Sequence, residues 1–184
     1  VDIYPFYGSD VDVTLNAGAD IEATGSYSIG VRVDGVANKL TISSTVEVGS
    51  CDAASDECTE DNYGISVNYG KNHNVNIGSN ASVTAIGKGS IGAIFDFGSN
   101  ELGDRSEYRG SYIRGEYDSE KGEFVNLDFT EDGALEGELV TNFNVEGNLK
   151  GDMAAIYISP NALVKHINIA STANVQGDII SEWN

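Results

Sequence analysis

Proline, histidine, cysteine and basic residues are scarce in this chain, and long apolar runs are missing. Of its 184 residues, 2 are proline, 2 cysteine, 2 histidine and 10 lysine or arginine. No segment of about 18 apolar residues occurs, which excludes a membrane-spanning helix. No stretch spaces its apolar residues as an amphipathic helix does, whereas short apolar alternations and glycine are frequent. The sequence therefore predicts an all-β protein.

The sequence also lacks the motifs of common catalytic centres. G-x-S-x-G, H-E-x-x-H and a glycine-rich phosphate loop are absent. His73 and His166 each precede an apolar alternation, and neither has a nucleophile or a paired acid beside it. We expect both histidines at outward corners and predict that the chain carries no catalytic residue and is not an enzyme.

Carboxylates are plentiful, and enzymes that cleave polysaccharides use them in pairs. The candidates lie on predicted loops, interrupted by glycine or serine, so nothing in the sequence fixes their spacing. A polysaccharide-cleaving enzyme therefore stays open as an alternative without an assigned catalytic pair. The candidates are Asp52, Asp56, Glu57, Glu60, Asp61, Asp118, Glu120, Glu123, Asp128, Glu131 and Asp132.

The formal net charge of −19 comes from 29 acidic and 10 basic residues. Such a surface repels nucleic acid and favours solubility, so we expect no nucleic-acid partner. The first residues lack the basic start and apolar run of a signal peptide. We expect that a leader has been removed or that the chain is an excised segment of a longer protein.

The two cysteines lie close together, at Cys51 and Cys58, in the acidic stretch 51–61. Two thiols are too few for a fold built on disulfides, but they would form a local disulfide in an exported protein. A metal site would need further ligands, and no histidine lies nearby. We predict a Cys51–Cys58 disulfide and no cofactor, with calcium at the loop 51–61 as a weaker alternative.

The chain contains a copy of part of itself. Residues 13–34 align without a gap on residues 75–96, and the identical pairs include Ala19/Ala81, Ser28/Ser90, Gly30/Gly92 and Asp34/Asp96. Internal repetition of this kind is typical of solenoid proteins.

A shorter pattern recurs inside the repeat. It consists of an apolar residue, any residue and a second apolar residue, then a few small polar residues, and then the same apolar-x-apolar triplet again. It occurs at 13–21, 40–48, 75–83 and 167–175, and a second motif occurs at 30–33, 64–67, 92–95 and 155–158. The period of two places alternate side chains on one face. We predict a right-handed parallel β-helix of roughly 20–27 residues per turn and about seven turns, forming one domain over 1–184.

Residues 98–123 break the pattern, since they are polar, charged and rich in tyrosine. Alternation near residues 107–112 predicts a hairpin that projects from the helix. Insertions in solenoids often bind partners, and the alternative is a hairpin that braces the shaft. The predicted binding residues are Arg105, Tyr108, Arg109, Tyr112 and Arg114.

Several passages resemble the passenger β-helix of bacterial autotransporters. They are Tyr63-Gly-Ile-Ser-Val-Asn-Tyr-Gly70, the insertion with its flank at 95–103 and 107–113, and the segments at 139–145, 154–158, 161–165 and 177–183. They look most like the stalk that follows the protease domain in subtilisin-like serine protease autotransporters. The resemblance implies a secreted rod between an N-terminal subtilase domain and a C-terminal barrel in the outer membrane of a Gram-negative bacterium. Subtilase signatures are absent from this chain, so no catalytic residue is carried over.

We therefore expect a non-catalytic, extracellular stalk that acts as a rigid spacer and display platform on the bacterial cell surface. Its expected partner is the barrel of its own full-length protein, and we expect a monomer. One alternative is an adhesin that binds a host protein or glycan through the insertion 98–123 or the loop 51–61. Another is a part of a secreted serine protease whose catalytic domain lies outside this chain.

Overall fold

The computed structural model describes residues 10–68, 70–96, 138–159 and 162–183, together with the backbone of the short strands at 2–3, 117–118 and 123–124. These residues confirm the all-β prediction, since they form strands, turns and bends. Most strands pair in parallel, in sheets of nine and five strands, and two short hairpins pair in antiparallel fashion. No helix long and apolar enough to cross a membrane occurs among the described residues.

The parallel strands stand in three columns, each built from strands that are far apart in the sequence. The first column is the five-stranded sheet, and neighbouring strands in it lie 27, 35, 68 and 24 residues apart. It consists of β2 (Asp12–Leu15), β5 (Lys39–Ile42), β10 (His73–Ile77), β15 (Val140–Val145) and β17 (Val164–Ile169).

The second and third columns belong to the nine-stranded sheet. The second consists of β3 (Ile21–Ala23), β6 (Thr45–Val48), β11 (Ser82–Ala85) and the first halves of β16 (Asn148–Ile158) and β18 (Asn174–Ser181). The third consists of β1 (Asp2–Ile3), β4 (Ile29–Val33), β9 (Tyr63–Val67), β12 (Ile91–Phe95) and the second halves of β16 and β18. Because β16 runs through both columns without a corner, it joins them into one sheet.

The chain passes through the columns in a fixed order, from the first to the second to the third, and then returns to the first. We call one such passage a rung, so that β2, β3 and β4 form rung 1 and β17 and β18 form rung 5. The first column holds five strands among the described residues, fewer than the roughly seven turns that the sequence predicted. Two excursions account for much of the difference, since each lengthens the chain without adding a rung.

The first excursion is the hairpin of β7 (Cys51–Asp52) and β8 (Glu57–Cys58), which lies between β6 and β9. The second lies between β12 and β15, the part of the chain that includes the predicted insertion 98–123. It contains the antiparallel pair of β13 (Tyr117–Asp118) and β14 (Glu123–Phe124). Because β10 pairs directly with β15, and both β11 and β12 pair with β16, this excursion inserts no strand into any column.

The registers explain the internal repeat. Val13 pairs with Leu40, which pairs with Val75, so the first residues of both copies lie in the first column. Ile21 and Val83 are both partners of Val46 in the second column. Ile29 and Ile91 are likewise both partners of Tyr63 in the third column. The two copies are therefore two rungs apart, in rungs 1 and 3. Rung 2 between them has the same apolar alternation but fewer residues identical to either copy.

The core lies between the columns. Every second residue of each strand contributes an inward side chain to it. In rungs 2 to 4 these side chains are fully buried, and Phe95 of the third column meets Phe143 of the first edge to face at 5.0 Å between ring centroids. Buried apolar area of this kind is the main favourable term in folding. The same positions in rung 5 are open, with Ile167 36%, Ile169 45% and Ile179 53% exposed.

His73 contradicts the expectation of an outward corner, because it is fully buried at the start of β10. Its Nδ1 accepts a hydrogen bond from the backbone N–H of Asn38 at 3.2 Å. The cause is the period of two, since His73, Val75 and Ile77 share the inward face of β10. His166 is exposed and pairs in register with the outward Asn142.

Several corners hold glycine or asparagine in left-handed backbone, at Gly18, Gly35, Gly49 and Asn72 among others. Five more non-glycine residues also adopt positive φ, namely Asp10, Tyr27, Ala37, Asp56 and Asp61. Left-handed backbone is uncommon for an aromatic residue such as Tyr27. The backbone N–H of Tyr27 donates to the carbonyl of Glu60, one rung away, which holds this corner.

Asn62 links three rungs through one fully buried side chain. Its Oδ1 accepts from the backbone N–H of Ser28 at 3.0 Å, and its Nδ2 donates to the carbonyl of Ile86 at 2.9 Å. Its own N–H donates to Ser90 Oγ at 3.0 Å. The identical pair Ser28/Ser90 of the repeat therefore stands on either side of Asn62.

We predict that Asn62→Ala lowers the free energy of unfolding by about 1–3 kcal/mol, because it leaves the part-buried N–H of Ser28 without its acceptor and removes the amide bond to the carbonyl of Ile86. The matched control is Asn16→Ala, exposed at the corner after β2, which should cost about 0.5 kcal/mol. Urea unfolding of both variants measures the difference. Equal losses would contradict the role of Asn62 as a link between rungs.

Gly64 gives a second prediction, because a Cβ there would lie 2.5 Å from Val83 Cγ1 and 2.6 Å from the carbonyl oxygen of Gly92. We expect Gly64→Ala to destabilise the protein by about 1–3 kcal/mol through overpacking. At Gly25 the nearest atom to an added Cβ is Ser28 Oγ at 3.7 Å, so Gly25→Ala should be neutral. Thermal unfolding of the two variants tests this, and a neutral Gly64→Ala would refute the close packing of these strands.

Candidate functional site

The predicted binding residues of the insertion, Arg105, Tyr108, Arg109, Tyr112 and Arg114, lie outside the described residues. Of the acidic candidates in this part of the chain, Glu120, Asp128, Glu131 and Asp132 also lie outside them. Asp118 and Glu123 are described as backbone and stand opposite each other in the β13–β14 pair. The binding role of the insertion therefore stays a prediction.

The loop 51–61 is a small hairpin closed by a disulfide between Cys51 and Cys58, which are direct partners of β7 and β8. Asp52 stabilises the turn, because its carboxylate accepts from the N–H of Ala54 at 2.8 Å and from Ser55 Oγ at 3.1 Å. All residues from 51 to 58 are exposed. No group of three possible metal ligands occurs in the part of the chain that the structure describes, which gives the calcium alternative no geometric support.

The outward face of the first column carries a ladder of asparagine side chains. Asn142 Nδ2 donates to Asn74 Oδ1 at 2.8 Å, and Asn168 Nδ2 donates to Asn144 Oδ1 at 2.7 Å. Asn144 Nδ2 donates in turn to Asn76 Oδ1 at 2.6 Å. These bonds run parallel to the backbone ladder and join rungs 3 to 5, so the amides have a structural role in holding neighbouring rungs together.

The outward face of the third column differs, because it carries an apolar cluster separate from the main core. The strand registers bring its members together from four rungs, and residues of the cluster pair as neighbours, such as Ile94 with Tyr157 and Tyr157 with Ile180. We call this surface the tyrosine face. Its members are Tyr63, Ile91, Ile94, Ala154, Tyr157 and Ile180.

Carboxylates border the tyrosine face. Tyr157 Oη donates to a carboxylate oxygen of Glu182, which stabilises the neutral phenol and raises the pKa of Tyr157 to about 12. Burial is the main cause of a raised pKa at Tyr63, and the charges of Asp61 and Asp96 add to it. Both phenols therefore lie in a field made negative by nearby carboxylates.

At the opposite end of the third column, Arg32 and Asp34 form a buried ion pair. Arg32 occupies the outward position that Ser66, Ile94 and Tyr157 occupy in the next rungs. A buried pair of this kind is costly to break on one side only, because the remaining charge stays desolvated. The outward face of the third column thus changes from ionic in rung 1 to aromatic in rung 4.

Sequence reasoning did not single out the tyrosine face, although one signal for it was present. The second recurring motif aligns Arg32, Ser66, Ile94 and Tyr157 at its third position, and the identical pair Asp34/Asp96 follows it. Stacking the motifs as strands makes these residues one outward row. The neighbours Asp178 and Glu182, on either side of Ile180, follow by the same alternation.

Comparison of the chain with family models, with curated proteins and with solved structures found no significant match.

We predict that Glu182→Gln lowers the pKa of Tyr157 from about 12 toward the ordinary value of 10.0, because the negative charge that favours the neutral phenol is lost. A spectrophotometric tyrosine titration, with Glu47→Gln in the second column as control, measures the shift. A raised pKa in the folded state favours folding below pH ~10, and this contribution disappears as the pH rises through about 12. The alkaline loss of stability should therefore be smaller in Glu182→Gln, and an unchanged titration would contradict this assignment.

Proposed function

We propose that the chain is a right-handed parallel β-helix and a non-catalytic stalk segment of a bacterial autotransporter, displayed on the cell surface as a rigid spacer. The observation that carries the proposal is the continuous register of parallel strands in three columns. A chain that visits three parallel columns in the same order can do so by coiling. Parallel crossovers are right-handed in nearly all proteins, which supports the proposed hand.

The contacts between rungs support the role of a spacer. Each rung adds backbone hydrogen bonds and buried apolar side chains to the preceding rung, so length grows while the cross-section stays constant. At ~4.8 Å per strand the five strands of the first column span about 19 Å. The open positions Ile167, Ile169 and Ile179 in rung 5 offer a further rung the same kind of surface that the inner rungs bury.

Two surface features support display outside the cell. The exposed Cys51–Cys58 disulfide is of a kind that persists in oxidising compartments. The net charge of −19 keeps rods of this kind apart, which is consistent with the proposed monomer. In the proposed parent protein, the partner of the stalk is the barrel of the same chain in the outer membrane.

The adhesin alternative draws support from one observation. The hairpin 51–58 projects from the corner between the second and third columns, and all its residues are exposed. A projecting, disulfide-closed loop on a rigid shaft is well suited to contacting a host protein or glycan. The alternative in which the parent protein is a secreted serine protease concerns a domain outside this chain.

Labelling of intact bacteria tests the proposal. An epitope tag inserted between Ala53 and Ala54, in the exposed turn of the hairpin, should bind antibody on unpermeabilised cells that express the full-length protein. External protease should remove the signal, and a tagged periplasmic protein serves as the negative control. Labelling that appears only after permeabilisation would overturn surface display.

Replacing residues 98–123 by a short turn separates the stalk from the adhesin. A stalk should stay folded and displayed, and neither form should bind a panel of glycans and matrix proteins. Binding that disappears with residues 98–123 would establish the adhesin alternative instead.

A further inference from the structure

The tyrosine face differs in composition from the outward faces of the other two columns that the structure describes. Most outward side chains of the first column are polar or charged, and Glu22 and Glu47 lie on the outside of the second. The third column instead presents a contiguous apolar strip across rungs 2 to 5. Ile91, Ile94 and Ala154 form its buried floor, whereas Tyr63, Tyr157 and Ile180 are only partly buried.

The end of the face at rung 5 is its most open part. Along β18 the outward positions are Asp178 and Ile180, and Glu182 continues the alternation after the strand ends. Asp178 and Glu182 are exposed, and Trp183 beside them is 46% exposed. An apolar side chain therefore lies between two exposed carboxylates, next to Tyr157.

At its rung 5 end the tyrosine face carries negative charge, from Asp178 and Glu182. Among the described third-column strand residues, the one basic side chain is Arg32, which is buried at rung 1 and paired with Asp34. Asp61 and Asp96 add further negative charge near Tyr63. A surface that combines aromatic rings with carboxylates attracts cations by Coulomb forces and by contact with the ring faces.

We propose that the tyrosine face is a docking surface for a cationic peptide segment of a partner protein, with lysine or arginine side chains at Asp178 and Glu182 and apolar side chains against Tyr157 and Ile180. Charge complementarity favours this occupant over a neutral glycan, because a neutral ligand gains no Coulomb attraction from the carboxylate border. Asp178 and Glu182 are four residues apart along the direction of β18, or about 13 Å at ~3.3 Å per residue. That length corresponds to about four or five extended residues.

This docking surface is independent of the proposed stalk function, because a stalk needs no ligand on its shaft. Failure of peptide binding would leave surface display untouched. Failure of surface labelling would likewise leave a measured peptide affinity in place.

The test uses a capped octapeptide with lysine at its first and fifth positions, valine at its third and seventh and serine between them, so that lysine and valine lie on one face of the extended peptide. The neutral probe has the same sequence with glutamine in place of lysine. Trp183 is the one tryptophan of the chain and lies next to Glu182, so its emission reports on occupancy of the site. Isothermal titration calorimetry gives the affinity independently of the fluorophore. We expect the lysine peptide to bind and to shift the emission of Trp183, and the neutral peptide to do neither.

The decisive comparison is between two double variants with the same change in net charge. Asp178→Asn with Glu182→Gln removes two carboxylates from the face, and Glu22→Gln with Glu47→Gln removes two from neighbouring rungs of the second column. Both keep side-chain size, and their melting temperatures check that both are folded. We expect the first to weaken binding about fivefold or more and the second to leave it within about twofold.

Three results would overturn the proposal. Equal weakening in both double variants would mean attraction to the overall negative charge and no defined site. Equal binding of the neutral peptide would mean that the carboxylates do not select the ligand. Absence of both heat and emission change at millimolar lysine peptide would mean that the face has no such partner.

Discussion

Parallel pairing in a constant register is the constraint on which the rest of the structure depends. Each strand donates hydrogen bonds to both neighbours in its column and accepts hydrogen bonds from both. The registers therefore place the inward side chains of successive rungs directly over one another. A shift of one residue in any strand would turn its apolar side chains outward. The core, the asparagine ladder and the tyrosine face are three products of this one alignment.

The alignment is maintained at the corners as well as in the strands. Buried polar side chains such as Asn62 and Asn38 bind backbone groups of neighbouring rungs, and close contacts at Gly64 and Gly92 leave no room for a side chain. The asparagine side chains form hydrogen bonds with backbone groups at the corners, which have no partner in the strand ladders. They also make each corner specific, because a displaced rung would leave them unsatisfied.

The sequence was sufficient to predict the class of the fold, since the alternations at 13–21 and 75–83 define the strand faces. It misplaced His73, because a polar residue next to an apolar alternation was assigned outward although the period of two placed it inward with Val75. The described residues hold five first-column strands against the roughly seven turns predicted, because the prediction divided the whole length by 20–27 residues, whereas β10 pairs directly with β15 across 68 residues. The tyrosine face was missed because it takes one or two side chains from each of four distant motifs, and only the registers reveal their contact.

The uninterrupted strand β16 has a consequence for the edge at which the second and third columns meet. In rungs 1 to 3 the second and third columns are separated by a corner, and in rung 2 that corner carries the disulfide hairpin. In rung 4 the chain crosses from Asn148 to Ile158 in a single strand. In rung 5 β18 likewise crosses from the second column to the third as one strand. The described corner loops at this edge therefore belong to rungs 1 to 3, and the edge of rungs 4 and 5 is made of strand.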